Sequence, residues 1–335
     1  MNSTAAIDIH AHAIVPEVDR LARRDPGWQA DLAQRQRAAG AASAEHNRKL
    51  TETVYRAKFE SPQARLATMD AMGIDVQTVS AAPTSNFWYW ADLELADRLV
   101  AINNQGIAEL CQYRPDRLIG LGIVALQHPE LAAVQLRTAV TELGLRGAII
   151  ATHANGVDLG DPSLAPFWQA AEATGALIFI HPAGCELGTR LTRYYFSNII
   201  GNPLETTLAL GHLIFSGTLD RYPGLRICAA HGGGYFPFYT ARFDHGWRVR
   251  PEAHDCRETP SAYLRRLWFD SLVYDPDLLN FLIARVGAGQ IMLGTDYPFD
   301  MGVDNPRQRL AAVSGLSQAQ QRAIVGENAA RLLRL

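Results

Sequence analysis

Eight short apolar or β-branched runs, separated by stretches whose apolar residues recur every three or four positions, set the strongest limit on how this chain can fold. They are AAIDIHAH (5–12), DVQTVSAAP (75–83), LIGLGIVAL (118–126), LRGAIIAT (145–152), ALIFIHPAG (176–184), LRICAAHGG (225–233), LWFDSLVYD (267–275) and IMLGTDYP (291–298). Segments such as ADRLVAINNQGIAELCQYRP (96–115) and ELAAVQLRTAVTELG (130–144) between them carry the helical period. Strand and helix therefore alternate, and near-continuous apolar strands imply a parallel sheet covered on both faces. Eight such units predict an α/β fold, a closed (β/α)8 TIM-type barrel. An open doubly wound sheet would carry a Gly-rich turn after an early strand; HGGGYF (231–236) comes late and lacks the G-x-G-x-x-G spacing.

The expectation is one barrel domain over residues 1–335, with an insertion at about 17–62. There WQADLAQRQRAAGAASAEHNRKL (28–50) is rich in Ala, Gln and Arg and predicts one or two exposed helices or a mobile lid. A hydrophobic content of 48% allows a large core, and a net charge of −3 offers no basic field for nucleic acid. No run reaches the ~18 apolar residues of a membrane span, and the N-terminus does not read as a signal peptide. A cytoplasmic protein is expected. Cys111, Cys185, Cys228 and Cys256 form no C-x-x-C pair, which argues against a thiolate zinc site and a disulfide framework.

In such a barrel the chemistry sits where strands finish. His10 and His12 end the first run, His181 the fifth, His231 the sixth and Asp296 the eighth. Histidines one residue apart on a strand point the same way, and imidazoles with one carboxylate suit Zn2+ or a related divalent ion. Taken singly, each residue reads as a hydrogen-bonded group near a strand end; together they predict a metal site. His46, His128, His212, His245 and His254 fall in loops or helical segments and are read as surface or structural, and His153 as bonded within its own loop. The only lysines, Lys49 and Lys58, precede the second run, so no fourth-strand lysine can bridge two metals, and one ion is expected.

DIHAH, FIHPAG, AAHGGGYFPFYTARFDHGW and MLGTDYPF, in that order, resemble the amidohydrolase superfamily (amidohydrolase family 2). More narrowly they are similar to the branch of 2-amino-3-carboxymuconate-6-semialdehyde decarboxylase and related nonoxidative decarboxylases. The resemblance runs from residue 7 to about 333 and weakens in 17–55. It implies that His10, His12, His181 and Asp296 bind the metal, usually zinc with manganese as the alternative, and that His231 is the general base. It also implies a homodimer in which Arg242 can reach a neighbouring site. Removal of CO2 from an aromatic or conjugated carboxylic acid is the expected reaction, with His231 or Asp296 handling the proton. Hydrolysis of a lactone or amide, or hydration, is the alternative.

One departure concerns the substrate carboxylate. EHNRKLTETVY puts Glu52 near the place of the family's carboxylate-binding arginine, with Arg48 upstream as a shifted candidate. Arg190 and Arg193, after the fifth run, could serve instead. NFWYW (86–90), with Trp88 at its centre, offers an aromatic wall or simple packing.

Overall fold

The computed structural model describes residues 4–83, 87–185 and 188–335. In chain order the strands are β1 (Ile7–Ala13), β2 (Val76–Ala81), β3 (Leu118–Gly120), β4 (Gly147–Ile150), β5 (His153–Ala154), β6 (Val157–Asp158), β7 (Leu177–Ile180), β8 (Arg226–Ala229), β9 (Trp268–Asp270) and β10 (Ile291–Met292). All except the antiparallel β5–β6 ribbon coincide with the eight apolar runs and pair in parallel, as β1-β2-β3 and β4-β7-β8-β9-β10. Backbone hydrogen bonds close the two seams: Arg146 N–H to Gly120 O (2.9 Å), Gly122 N–H to Gly147 O (2.9 Å) and Ile149 N–H to Gly122 O (2.8 Å) at one, and Ile9 N–H to Leu293 O (2.9 Å), Asp296 N–H to His10 O (2.8 Å) and His12 N–H to Tyr297 O (2.8 Å) at the other. The result is the expected (β/α)8 barrel.

Strand periodicity divides the core. Leu177 and Phe179 cluster with Ile149, Cys228 and Met292, whereas Ile178 and Ile180 pack under the helices with Leu136, Phe167, Trp168 and Leu210. The long helix Leu93–Gln112 is capped by the Asp92 side chain and clamps the end of the third run, because the Asn104 amide both accepts from Ile123 N–H and donates to its carbonyl.

Residues 28–50 fall in two helices, within the one or two expected there, and the insertion adds a short helix on either side. These are α1 (Pro16–Ala22), α2 (Pro26–Ala39), α3 (Ala41–Leu50) and α4 (Arg56–Glu60), ahead of α5 (Pro62–Met72). Pro16, Pro26 and Pro62 each open a helix, and Asp25 and Ser61 cap the latter two. α2 and α3 bury no residue, yet both ends of the insertion are anchored. Tyr55 and Phe59 pack against Phe299, and Gly40, at φ 80°, turns so close to the loop after β7 that a Cβ would stand 1.9 Å from Thr192 O. Gly40→Ala is expected to cost ~1–3 kcal/mol, seen as a lowered Tm, since that backbone region is nearly glycine-only.

Candidate metal centre

Every strand of the set delivers its polar group at the C-terminal rim. His10 and His12 lie in β1, His181 follows β7, His231 follows β8, Asp270 closes β9 and Asp296 follows β10. His10, His12, His181 and Asp296 are all buried, and one donor atom from each lies within 4.8 Å of the other three.

The imidazoles are held from behind. His10 Nδ1 meets Asp270 Oδ2 at 2.6 Å, His12 Nδ1 meets Ser80 Oγ at 3.1 Å, and His181 Nδ1 donates to Pro182 O at 2.7 Å. The Nε2 atoms of His10 and His12 thereby face each other at 3.1 Å and lie 3.2 and 3.1 Å from Asp296 Oδ1. His181 Nε2 is buried with no hydrogen-bond partner. An orphaned ring nitrogen aimed at two others and a carboxylate fits a cation at the centre. The same back-bonding orients imidazoles in metal sites.

The electrostatics agree. Burial works against the Asp296 charge, but His10 and the hydrogen bonds from His10, His12 and His231 hold its carboxyl well below the usual range. Burial would push His10 down, yet Asp296 and Asp270 carry it up to about 10. Burial lowers His12 to about 4, and burial with the neighbouring histidines puts His181 well below its usual value. The ring thus favours positive charge beside an ionised carboxylate.

His231 stands beside this ring. Its Nε2 is 3.7 Å from Asp296 Oδ2, its Nδ1 is buried without a partner, and its backbone has φ 55°. Asp296 (φ 59°), Tyr194 (57°), Tyr195 (59°) and Tyr274 (61°) share that left-handed conformation, so strained non-glycine residues gather on loops of this one rim.

The proposed substrate arginines are spread more widely. Arg48 is on exposed α3, held by Glu45 at 2.9 Å and Glu52 at 2.8 Å, and among the described residues no contact brings it to the histidines. Arg190 and Arg193 are exposed on the loop after β7, Arg193 stacking over Tyr194 at 5.4 Å. Arg242 is exposed on the helix Phe236–Val249, without an ion pair among the described residues. Trp88 is 5% exposed and packs into the core with Phe87 and Ala91, while Asn86 of the same motif lies outside the described residues.

His153 Nδ1 accepts Gly156 N–H within its own turn; His128 and His254 bond to carbonyls, and His46 and His212 face surface aspartates. Asp270 and Ser80 escaped sequence reading, because each sits within an apolar run and its role exists only once the barrel closes, with β2 beside β1 and β9 one strand beyond β10. Beneath the ring, Arg65 is fully buried, donating to His12 O and Gln77, whose amide donates to Asp8. A cavity of about 610 Å³ at the opposite end of the barrel, lined by Ile7, Val76, Cys111 and Leu118, carries none of these groups.

A closed parallel β/α barrel with three imidazoles and a carboxylate meeting at its C-terminal rim defines a metal-dependent barrel enzyme, and the centre is a divalent-metal site. The chain belongs to the Amidohydrolase family, whose model matches residues 7–335. It is 37% identical over 278 residues to a 2-amino-3-carboxymuconate-6-semialdehyde decarboxylase of Dictyostelium discoideum, covering 82% of this chain and 77% of that one. It is similar in structure to the 5-carboxyvanillate decarboxylase of Sphingomonas paucimobilis, with TM-score 0.84, 26% identity and coverage of 99% and 100%. A Novosphingobium aromaticivorans 5-carboxyvanillate decarboxylase variant, with bound manganese and 3-methoxy-4-hydroxy-5-nitrobenzoic acid, matches at TM-score 0.82 and 25% identity over 99% of this chain and 97% of that one.

Proposed function

We propose that this protein is a metal-dependent nonoxidative decarboxylase of an aromatic or conjugated unsaturated carboxylic acid. His10, His12, His181 and Asp296 hold one divalent ion, and His231 handles the proton. The convergence of three Nε2 atoms and Asp296 on one point, with His231 Nε2 3.7 Å from the same carboxylate, carries the reading. The decarboxylase relatives give it the reaction class.

When bound, the ion supplies positive charge that polarises oxygens of the substrate. Breaking the C–CO2 bond leaves its electron pair on the substrate carbon, which must gain a proton as CO2 departs. His231 can hold that proton at Nε2, 3.7 Å from Asp296 Oδ2, and deliver it. The three-imidazole donor set favours zinc, with manganese carried by the solved relative.

A homodimer fits the exposed side chains around Arg242. Ile199, Ile200, Tyr235, Tyr239, Leu278 and Phe281 are all solvent-exposed, and Tyr235 Oη donates to Ile200 O. Arg242, Arg190 and Arg193 are the guanidinium groups from which a carboxylate anchor would be drawn; Arg48 could join them only by releasing Glu45 and Glu52. Four free cysteines fit a reducing, cytoplasmic setting, and no helix among the described residues is long and apolar enough to cross a membrane.

The test is CO2 release from a panel of hydroxybenzoates and conjugated acids, with bound metal quantified in parallel. Chelation is expected to abolish release, and re-addition of Zn2+ or Mn2+ to restore it. A fully loaded enzyme that transforms its substrate without CO2 would reject decarboxylation in favour of hydrolysis or hydration.

A further inference from the structure

We infer that Asp270 is a positioning residue that joins ion binding and the placement of His231 into one coupled event, through hydrogen bonds to His10 and to the turn carrying His231. The inference rests on the ligand assignment proposed above.

Asp270 is fully buried at the end of β9. Its Oδ2 meets His10 Nδ1 at 2.6 Å and accepts His231 N–H at 3.0 Å; its Oδ1 accepts Gly232 N–H at 2.8 Å and Leu272 N–H at 3.2 Å. One carboxylate therefore touches the back of a metal-binding imidazole and the backbone of the general base. It has little freedom to do otherwise, because a Cβ on Gly294 would already lie 2.7 Å from Asp270 Cβ and 3.2 Å from His10 Cβ.

The HGGG motif explains the second contact. His231, Gly232, Gly233 and Gly234 have φ of 55°, 61°, 80° and 64°, a run that L side chains resist. Successive amides in this conformation converge on an anion. Here the anion is Asp270, so the glycine run binds an internal carboxylate.

Coupling follows from the shared Oδ2. Ligation through His10 Nε2 requires the imidazole proton on Nδ1, where it is donated to Oδ2. That bond fixes the oxygen which also accepts the His231 amide. Without the carboxylate, the imidazole loses its orientation and the strained turn loses its anion. Asp270 touches neither ion nor substrate, so its influence passes through both neighbours.

The test uses the full-length protein with Zn2+ or Mn2+ alone. Asp270→Asn keeps the shape but turns an NH2 group either toward His10 and the His231 amide or toward the Gly232 and Leu272 amides. Ion affinity, measured by competition with a chromophoric chelator, is expected to fall ~10–100-fold. In parallel, hydrogen exchange over residues 228–236 is expected to slow severalfold when the parent is loaded, and to lose that response in Asp270→Asn. Parental ion affinity in Asp270→Asn, or exchange in the parent indifferent to the ion, would overturn the coupling. If Asp270→Asn does not fold, exchange in the parent with and without ion decides alone. Unchanged affinity in His181→Ala as well as Asp270→Asn would remove the ligand assignment and the coupling with it; a loss confined to His181→Ala would remove the coupling only.

Discussion

Alanine in place of His231 is expected to leave the ion bound and to lower turnover by roughly 10²–10⁴-fold, the usual contribution of a positioned proton donor or acceptor. The separation of effects follows from position. His231 Nε2 stands 3.7 Å from the outer oxygen of Asp296, whereas the inner oxygen faces the Nε2 atoms of His10 and His12 at 3.2 and 3.1 Å. Removing the imidazole deletes none of the four converging donors. It leaves the Asp270 contacts in place, because those are made by the His231 amide. Metal content should therefore remain stoichiometric while the rate of CO2 release collapses. Near-normal turnover in this variant would exclude His231 as the group that carries the proton.

His181→Ala should give the reverse pattern, with ion affinity reduced by more than the ~10–100-fold typical of losing a supporting hydrogen bond. Its Nε2 is the buried atom in the ring with no alternative partner, so the residue has no evident use there other than donating a lone pair. Pro182 O fixes the proton on Nδ1 and leaves Nε2 free for the ion. A chelator titration of parent and variant reads the difference directly, and equal affinities would take His181 out of the ligand set. Imidazole added in solution should restore part of the lost affinity if the alanine leaves room for it.

Much of this was legible in the sequence because a barrel couples position along a strand to position in the molecule. A run of β-branched residues that ends in a polar one places that group on the rim, which is why His10, His12, His181, His231 and Asp296 could be found without coordinates. Asp270 was hidden by the same logic: it lies in the middle of LWFDSLVYD, and only the early end of β9 shows that this carboxylate, too, stands at the top of its strand. The pair of helices over 28–50 was legible in composition, whereas the short helix opened by Pro16 was not, since proline marks a helix start and a helix stop alike. Arg48 illustrates a further limit, because a charged residue on a helix takes whatever partner lies one turn away, here Glu45 and Glu52, and that competition depends on the local fold.

The seam between β1 and β10 has a consequence for how the protein is made. Two of the proposed ligands, His12 and Asp296, come from the first strand and from just beyond the last, 284 positions apart. While the chain is still emerging from the ribosome, no segment of it holds more than part of the donor set, so the complete centre cannot exist until translation has passed Asp296. With the proposed ligands, a captured ion would tie the first and last strands together at a joint otherwise closed by backbone hydrogen bonds and by Thr295 bonding to the Asp8 carboxylate. Under that assignment occupancy would mark a finished barrel, and chelation is expected to speed hydrogen exchange first along the line where its two ends meet.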